Sequence, residues 1–214
     1  MPKLIKYLEA GGVEFKKDEE VQKIRLLNGY INEIETANEK ISADEFILAA
    51  GTWSSILAKK LGVDLPLQPG KGYSINVCRK LGIGMPAILM ESSMAVTPMN
   101  QFTRFAGTME FSGINSRVRK ERVDAIAKGA QYFYPEVKIS EDEKSSVKTG
   151  MRPVSPDGLP YIGRSSQIKN LIFATGHAMM GWSLGPATGK LVSEIVDNRK
   201  TSMNISSFVP ERKF

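Results

Sequence analysis

Residues 150–189, GMRPVSPDGLPYIGRSSQIKNLIFATGHAMMGWSLGPATG, hold the side chains and turns with the clearest chemical potential in this sequence. Arg152 sits in a Gly-Met-Arg-Pro context, and its planar guanidinium suits a carboxylate better than a lysine would. Read alone, it is more readily half of a structural ion pair. Some two dozen residues later an apolar strand predicted at 171–174 hands over to Gly176 and then to a helix. Amide groups at a helix start lack intrahelical acceptors and carry the positive end of the helix dipole, so this junction suits negative charge, including the electron-rich edge of a flat cofactor. Gly176 and Gly181 have no Cβ and allow a ring close to the backbone. His177 is the single histidine and Cys78 the single cysteine. Neither a metal-ligand cluster nor an internal disulfide can be drawn from them.

The motifs Arg152-Pro153, PDGLPYIG at 156–163 and GHAMMGW at 176–182 resemble the closing segment of the D-amino-acid oxidase/dehydrogenase (glycine oxidase-like, DAO) family of FAD flavoproteins. The resemblance implies FAD as cofactor. It also implies oxidation of an amino acid, D-configured or glycine-like, to an imino acid by hydride transfer from Cα to flavin, without a side-chain base. Arg152 would hold the substrate carboxylate. Gly176, His177, Met179, Met180, Gly181, Trp182 and Ser183 would meet the flavin, chiefly through backbone amides at its pyrimidine edge. Ala49, Ala50, Gly51 and Trp53 match the family's Ala-Ala-Gly-x-Trp strand end near the dinucleotide, and Val21 matches a position at the adenine. Lys71-Gly72-Tyr73-Ser74 is similar to the start of the family's substrate domain, where Tyr73 either lines the pocket or closes the sheet.

The resemblance maps onto the C-terminal half of a family member. The Gly-rich β-α-β unit that opens such chains and holds the FAD phosphates has no counterpart here, so the expectation is a fragment or one piece of a split protein. Its partners would be a small amino-acid substrate and either the missing N-terminal half or a second copy of itself. A non-catalytic remnant that completes an active site with a partner chain is the rival reading. Sarcosine, proline derivatives and hydroxy acids stay open as substrates, as does the choice between oxidase and dehydrogenase.

Composition agrees with a soluble globular unit: 214 residues, 42% hydrophobic and 24% charged. The net charge of +6 brings nucleic acid and anionic membranes into consideration. The basic groups, however, are scattered among acids, as at Lys59-Lys60, 117–122 and Arg212-Lys213, which describes a solvated surface rather than a nucleic-acid stripe. No apolar run reaches membrane-span length, and a cytoplasmic location is expected, with peripheral membrane association left open.

The elements that must position these residues form an α+β fold: a partial FAD-binding lobe with an inserted antiparallel-sheet substrate-binding lobe. The expected division is 1–65 with 145–200 for the first lobe, 66–144 for the second, and a peripheral tail at 201–214. A helix from Pro2 ends at Gly11-Gly12, a short strand follows at 13–15, and strands at 21–27 and 30–36 flank the hairpin turn Asn28-Gly29. Residues 43–51 read as a strand, then 53–61 as a helix capped by Thr52 or Ser54. Strands are predicted at 73–78, 87–90, 95–99 and 102–111, a helix at 116–134 capped by Asn115 or Ser116, a polar loop at 140–144 and a strand at 146–151 delivering Arg152. Gly82-Ile83-Gly84-Met85-Pro86-Ala87 formally matches a dinucleotide fingerprint, but strand rather than helix follows it and no acid lies at the right distance, so it reads as a loop.

Overall fold

The computed structural model describes residues 2–214. Helix α1 (Pro2–Ala10) ends where Gly12 takes a left-handed φ of 88°. The strand predicted at 13–15 does not form. The amide of Val13 turns back to the Leu8 carbonyl (3.0 Å) to close the helix end, and Val13 and Phe15 stay exposed. A three-stranded antiparallel meander follows: β1 (Lys23–Leu27), β2 (Tyr30–Glu35) and β3 (Lys40–Ile41). Asn28 and Gly29 both have positive φ, the geometry of a tight hairpin turn. Asn170 clips the meander to the next sheet: its side chain accepts from the Ile31 amide at 2.8 Å and donates to the Ile31 carbonyl at 2.9 Å.

That second sheet has the order β10 (Tyr161–Arg164), β11 (Leu171–Thr175), β4 (Phe46–Leu48), with β4 parallel to β11. β4 keeps only three residues of the strand predicted at 43–51, because Ala49 and Ala50 already turn into a 3-10 turn, Gly51–Trp53, that leads to α2 (Ser54–Lys60). Neither expected cap operates. Ser54 Oγ donates across to Thr175 Oγ1 (3.1 Å) instead, and the buried Thr52 Oγ1 has no partner. After β11, α5 (Gly181–Val196) packs Leu191, Val192 and Ile195 onto Ile162 and Ile172.

The third sheet, order β6 (Ala87–Leu89), β7 (Met94–Pro98), β8 (Thr103–Phe111), β5 (Gln68–Val77), β9 (Lys148–Val154), is antiparallel throughout. One face is covered by α3 (Lys120–Phe133), whose Val123, Ile126 and Ala130 lock onto Tyr73, Ile75, Val77, Met94, Val96 and Phe105. α3 starts four residues later than predicted because Asn115 is engaged elsewhere: its Oδ1 accepts from Lys71 Nζ at 2.6 Å and from the Arg117 amide at 3.1 Å. The expected polar loop at 140–144 is a short helix, α4 (Glu141–Ser145), opened by a reciprocal capping box between Ser140 and Glu143.

The tail after Asn198 is not peripheral. Phe208 packs against the β10/β11/α5 core and Pro210 is buried. Arg212 lies over the Tyr161 ring (4.1 Å) and grips both oxygens of Asp157, each at 2.8 Å. Among the described residues no helix is long and apolar enough to cross a membrane.

Candidate active site

β4 and β11 run parallel, and each is followed at its carboxyl end by a turn and a helix. Ligands of open α/β sheets bind in the crevice beyond such strand ends. Here the two turns are tied together: Thr175 Oγ1 donates to the Gly51 carbonyl (3.1 Å) while accepting from Ser54. Gly51 has φ 54° and Gly176 φ 82°, both left-handed. At Gly176 a Cβ would also stand 2.9 Å from Tyr161 Cδ2, so glycine is required twice over. The Tyr161 hydroxyl donates to the Pro66 carbonyl at 2.9 Å, and burial raises its pKa to about 12.

Arg152 arrives on β9, which adjoins both turns. The Ala178 amide donates to the Pro153 carbonyl (3.0 Å), Val154 bridges His177, and β9 packs against Gly51–Trp53. The guanidinium lies flat over Gly72 of β5: a Cβ built there would be 1.9 Å from Nη1 and 2.3 Å from Cζ. Nη1 is buried with no hydrogen-bond partner, and desolvation pushes the Arg152 pKa down. A buried guanidinium nitrogen with no acceptor is costly, and an incoming anion is the group that would relieve it. The turn at His177 and Ala178, which β9 holds through Pro153 and Val154, leads into α5. Its first bond from this end is the Leu184 amide to the Met180 carbonyl (2.9 Å), which leaves the amides of Gly181, Trp182 and Ser183 ahead of the helical ladder. Met179, Met180 and Trp182 are exposed, Trp182 to 80%, so these side chains do not fill the core.

His177 Nε2 lies 2.8 Å from Thr188 Oγ1, the first buried residue of α5, and burial lowers the His177 pKa below the usual imidazole value. The histidine braces the turn against the helix. An apolar cavity of about 350 Å³ opens between this turn, α5 and Phe208; Arg152 does not line it.

The structure therefore brings Arg152, Gly51, Trp53, Gly176, His177, Met179, Met180, Gly181, Trp182 and Ser183 into one region, with Ala49 and Ala50 in the turn leading to Gly51. Val21 stands apart, next to Gln22, whose carbonyl accepts from Lys60 Nζ at the far end of α2 from Gly51. Tyr73 points the other way. It is 1% exposed, packs under α3, and its hydroxyl donates to Glu110 at 2.5 Å, so of the two roles open to it the structure supplies sheet closure. Two further residues shape the site, Gly70 and Gly72, whose lack of a side chain leaves room for Met109, Val154 and the guanidinium. Among the described residues no group of three or more His, Cys, Asp or Glu is placed to hold a metal.

A flavin fits this set of residues: left-handed glycines at two strand ends, a free row of amides, and an unsatisfied cation alongside. The sequence pattern of the family described as FAD dependent oxidoreductase (DAO) matches residues 1–195. A D-amino acid dehydrogenase of Bradyrhizobium diazoefficiens is 31% identical over 212 residues, 98% of this chain and 50% of that protein. The glycine oxidase of Geobacillus kaustophilus superposes with a TM-score of 0.84 at 23% identity, covering 96% of this chain and 55% of that one. Iminodiacetate oxidase from Chelativorans sp. BNC1 gives 0.83 at 22%, covering 98% and 57%. The two structural likenesses bear on the fold alone. The chain spans about half the length of these relatives.

Proposed function

Because this chain belongs to the DAO family of FAD-dependent oxidoreductases, we propose that it carries the substrate-binding and flavin-edge half of an enzyme that oxidises an amino acid, D-configured or glycine-like, to an imino acid. The observation that carries the proposal is the buried, unpartnered Nη1 of Arg152 on the strand that pairs with the His177 turn, which leads into the free amides of residues 181–183. When bound, the flavin supplies the acceptor for the hydride leaving the substrate Cα. Arg152 binds the carboxylate through its planar fork and so fixes which face of Cα is presented. The amides of Gly181, Trp182 and Ser183 stabilise negative charge at the start of α5 without having to reorganise. His177 keeps its uncharged form near neutral pH and holds the turn in place through Thr188.

A second reading, a subunit that completes its site with a partner chain, is favoured by the exposed Trp53, Met179, Met180 and Trp182 around the site. Purification with FAD separates the two. Retained yellow absorbance, bleached anaerobically by an amino acid, supports the first, and Arg152→Met should then raise KM about 10- to 100-fold, the worth of a charge-assisted hydrogen bond. A colourless chain that binds flavin and turns over only with an added nucleotide-binding partner supports the second. An unchanged KM in Arg152→Met removes that residue from the site.

A further inference from the structure

The neighbours of Arg152 on its own sheet face narrow the substrate class. Register places Arg152, Gly70 and Phe111 in one row across β9, β5 and β8, and residues paired in a row stand on the same face. A Cβ on Gly70 would be 3.0 Å from both Met109 Sδ and Val154 Cγ2, so those two side chains lie over Gly70 next to the guanidinium. The reverse face holds Lys71, Tyr73 and Glu110, joined by Lys71 Nζ to Glu110 Oε1 at 3.2 Å.

A bulge in β8 creates this arrangement. Phe105 and Gly107 face the core under α3, with Gly107 against Ile126, whereas Met109 and Phe111, of the same parity, face Arg152. The register slips between Lys71 and Tyr73, and Thr108 has a left-handed φ of 60°, an uncommon conformation for a β-branched residue. One extra residue there turns Met109 and Phe111 out of the core and onto the site face, and sends Glu110 inward. Glu110 is the only acid in β5, β8 and β9. With it on the far side, these three strands offer no carboxylate on this face to pair with a cationic substrate side chain. The nearest further cation on β9 is Lys148, four residues and about 13 Å back along the strand.

We propose that the side chain of the amino acid held by Arg152 lies against Met109, Phe111 and Val154, making neutral, apolar amino acids the preferred class, with the Thr108 bulge as the device that sets it. This rests on the amino-acid reading above. A charged side chain brought to this wall is desolvated without a partner, whereas leucine or methionine gains apolar contact.

The test is a tryptophan-fluorescence titration of the FAD-loaded protein with leucine, methionine, lysine and aspartate in both configurations, run beside flavin reduction by the same compounds. Leucine and methionine should bind at least about 10-fold tighter than lysine or aspartate. Met109→Glu should move the lysine-to-leucine ratio at least about 10-fold towards lysine, and Met109→Leu should leave it unchanged. Lysine or aspartate binding as well as leucine, no binding of any of the four, or a ratio untouched by Met109→Glu overturns the proposal. Preferential binding of leucine without reduction of the flavin would sustain it and refute amino-acid oxidation.

Discussion

An alanine at Gly72 asks whether the seat of the guanidinium sets substrate affinity. Its methyl would lie 1.9 Å from Arg152 Nη1 and 2.3 Å from Cζ and Nη2, where carbon contacts normally settle at about 3.5–4 Å. The guanidinium must therefore move by more than about 1 Å. Gly72 is not among the glycines with left-handed φ, so the backbone accepts alanine without strain. The displaced atoms are the far end of a flexible side chain, and the folding cost should stay within about 1 kcal/mol. Binding is different: a charge-assisted hydrogen bond contributes about 1.5–3 kcal/mol, so misplacing the fork should raise KM about 10- to 100-fold. Gly176→Ala is the contrast, since its methyl meets the Tyr161 ring at 2.9 Å on a left-handed backbone. It should cost about 2 kcal/mol or more in stability. Steady-state kinetics of the FAD-loaded protein, beside thermal melts, decide the matter. A Gly72→Ala protein with KM within twofold of the parent, or one that melts as early as Gly176→Ala, refutes the reasoning.

Arg152→Met should raise the melting temperature by a few degrees, since it removes a desolvated charge whose Nη1 has no acceptor. Hydrogen bonds from Arg212 hold the Asp157 carboxyl down at about 2; a depressed carboxylate stabilises above its unfolded pKa, near 4, and the contribution is lost as pH falls through about 2. Acid titration of Asp157→Asn should accordingly lack that step. Burial lowers the His177 pKa, so the folded state resists protonation and stability falls as pH drops below about 6.5. Melts of His177→Gln between pH 5 and 7 should show a flatter profile than the parent. Lys71→Met takes from Glu110 the buried one of its two cations and leaves Arg119 at 3.3 Å, and Lys71→Met/Glu110→Gln should recover part of the lost melting temperature.

Local signals were legible where one short stretch decides the outcome. Asn28-Gly29 specifies its hairpin, and the apolar run ending at Gly176 specifies the strand-to-helix junction, because the residues that adopt the conformation also carry its cause. The Ser140-x-x-Glu143 capping box is equally local, but its wholly polar surroundings give α4 no apolar periodicity to mark it as a helix. Other features depend on partners far along the chain. Asn115 fails to cap α3 because Lys71 claims it, Ser54 fails to cap α2 because Thr175 claims it, and Arg212 anchors the tail through Asp157, 55 residues away. At the site, Arg152 and the turn at 176–182 could be read from motif and residue type. Gly72 could not, since its role is to be absent beneath a side chain 80 positions on, and the parity change at Thr108 leaves no mark in a pattern of alternating residues.

β9 is the one strand shared by the broad sheet and the cofactor-side turns: seven of its residues pair with β5, and its last reaches His177. Two residues of extended peptide thus separate Arg152 from the strand position that bridges His177. Every residue of that interval is paired to β5. If the proposed function holds, the distance between the carboxylate of the substrate and the flavin edge is set by that short length of paired backbone.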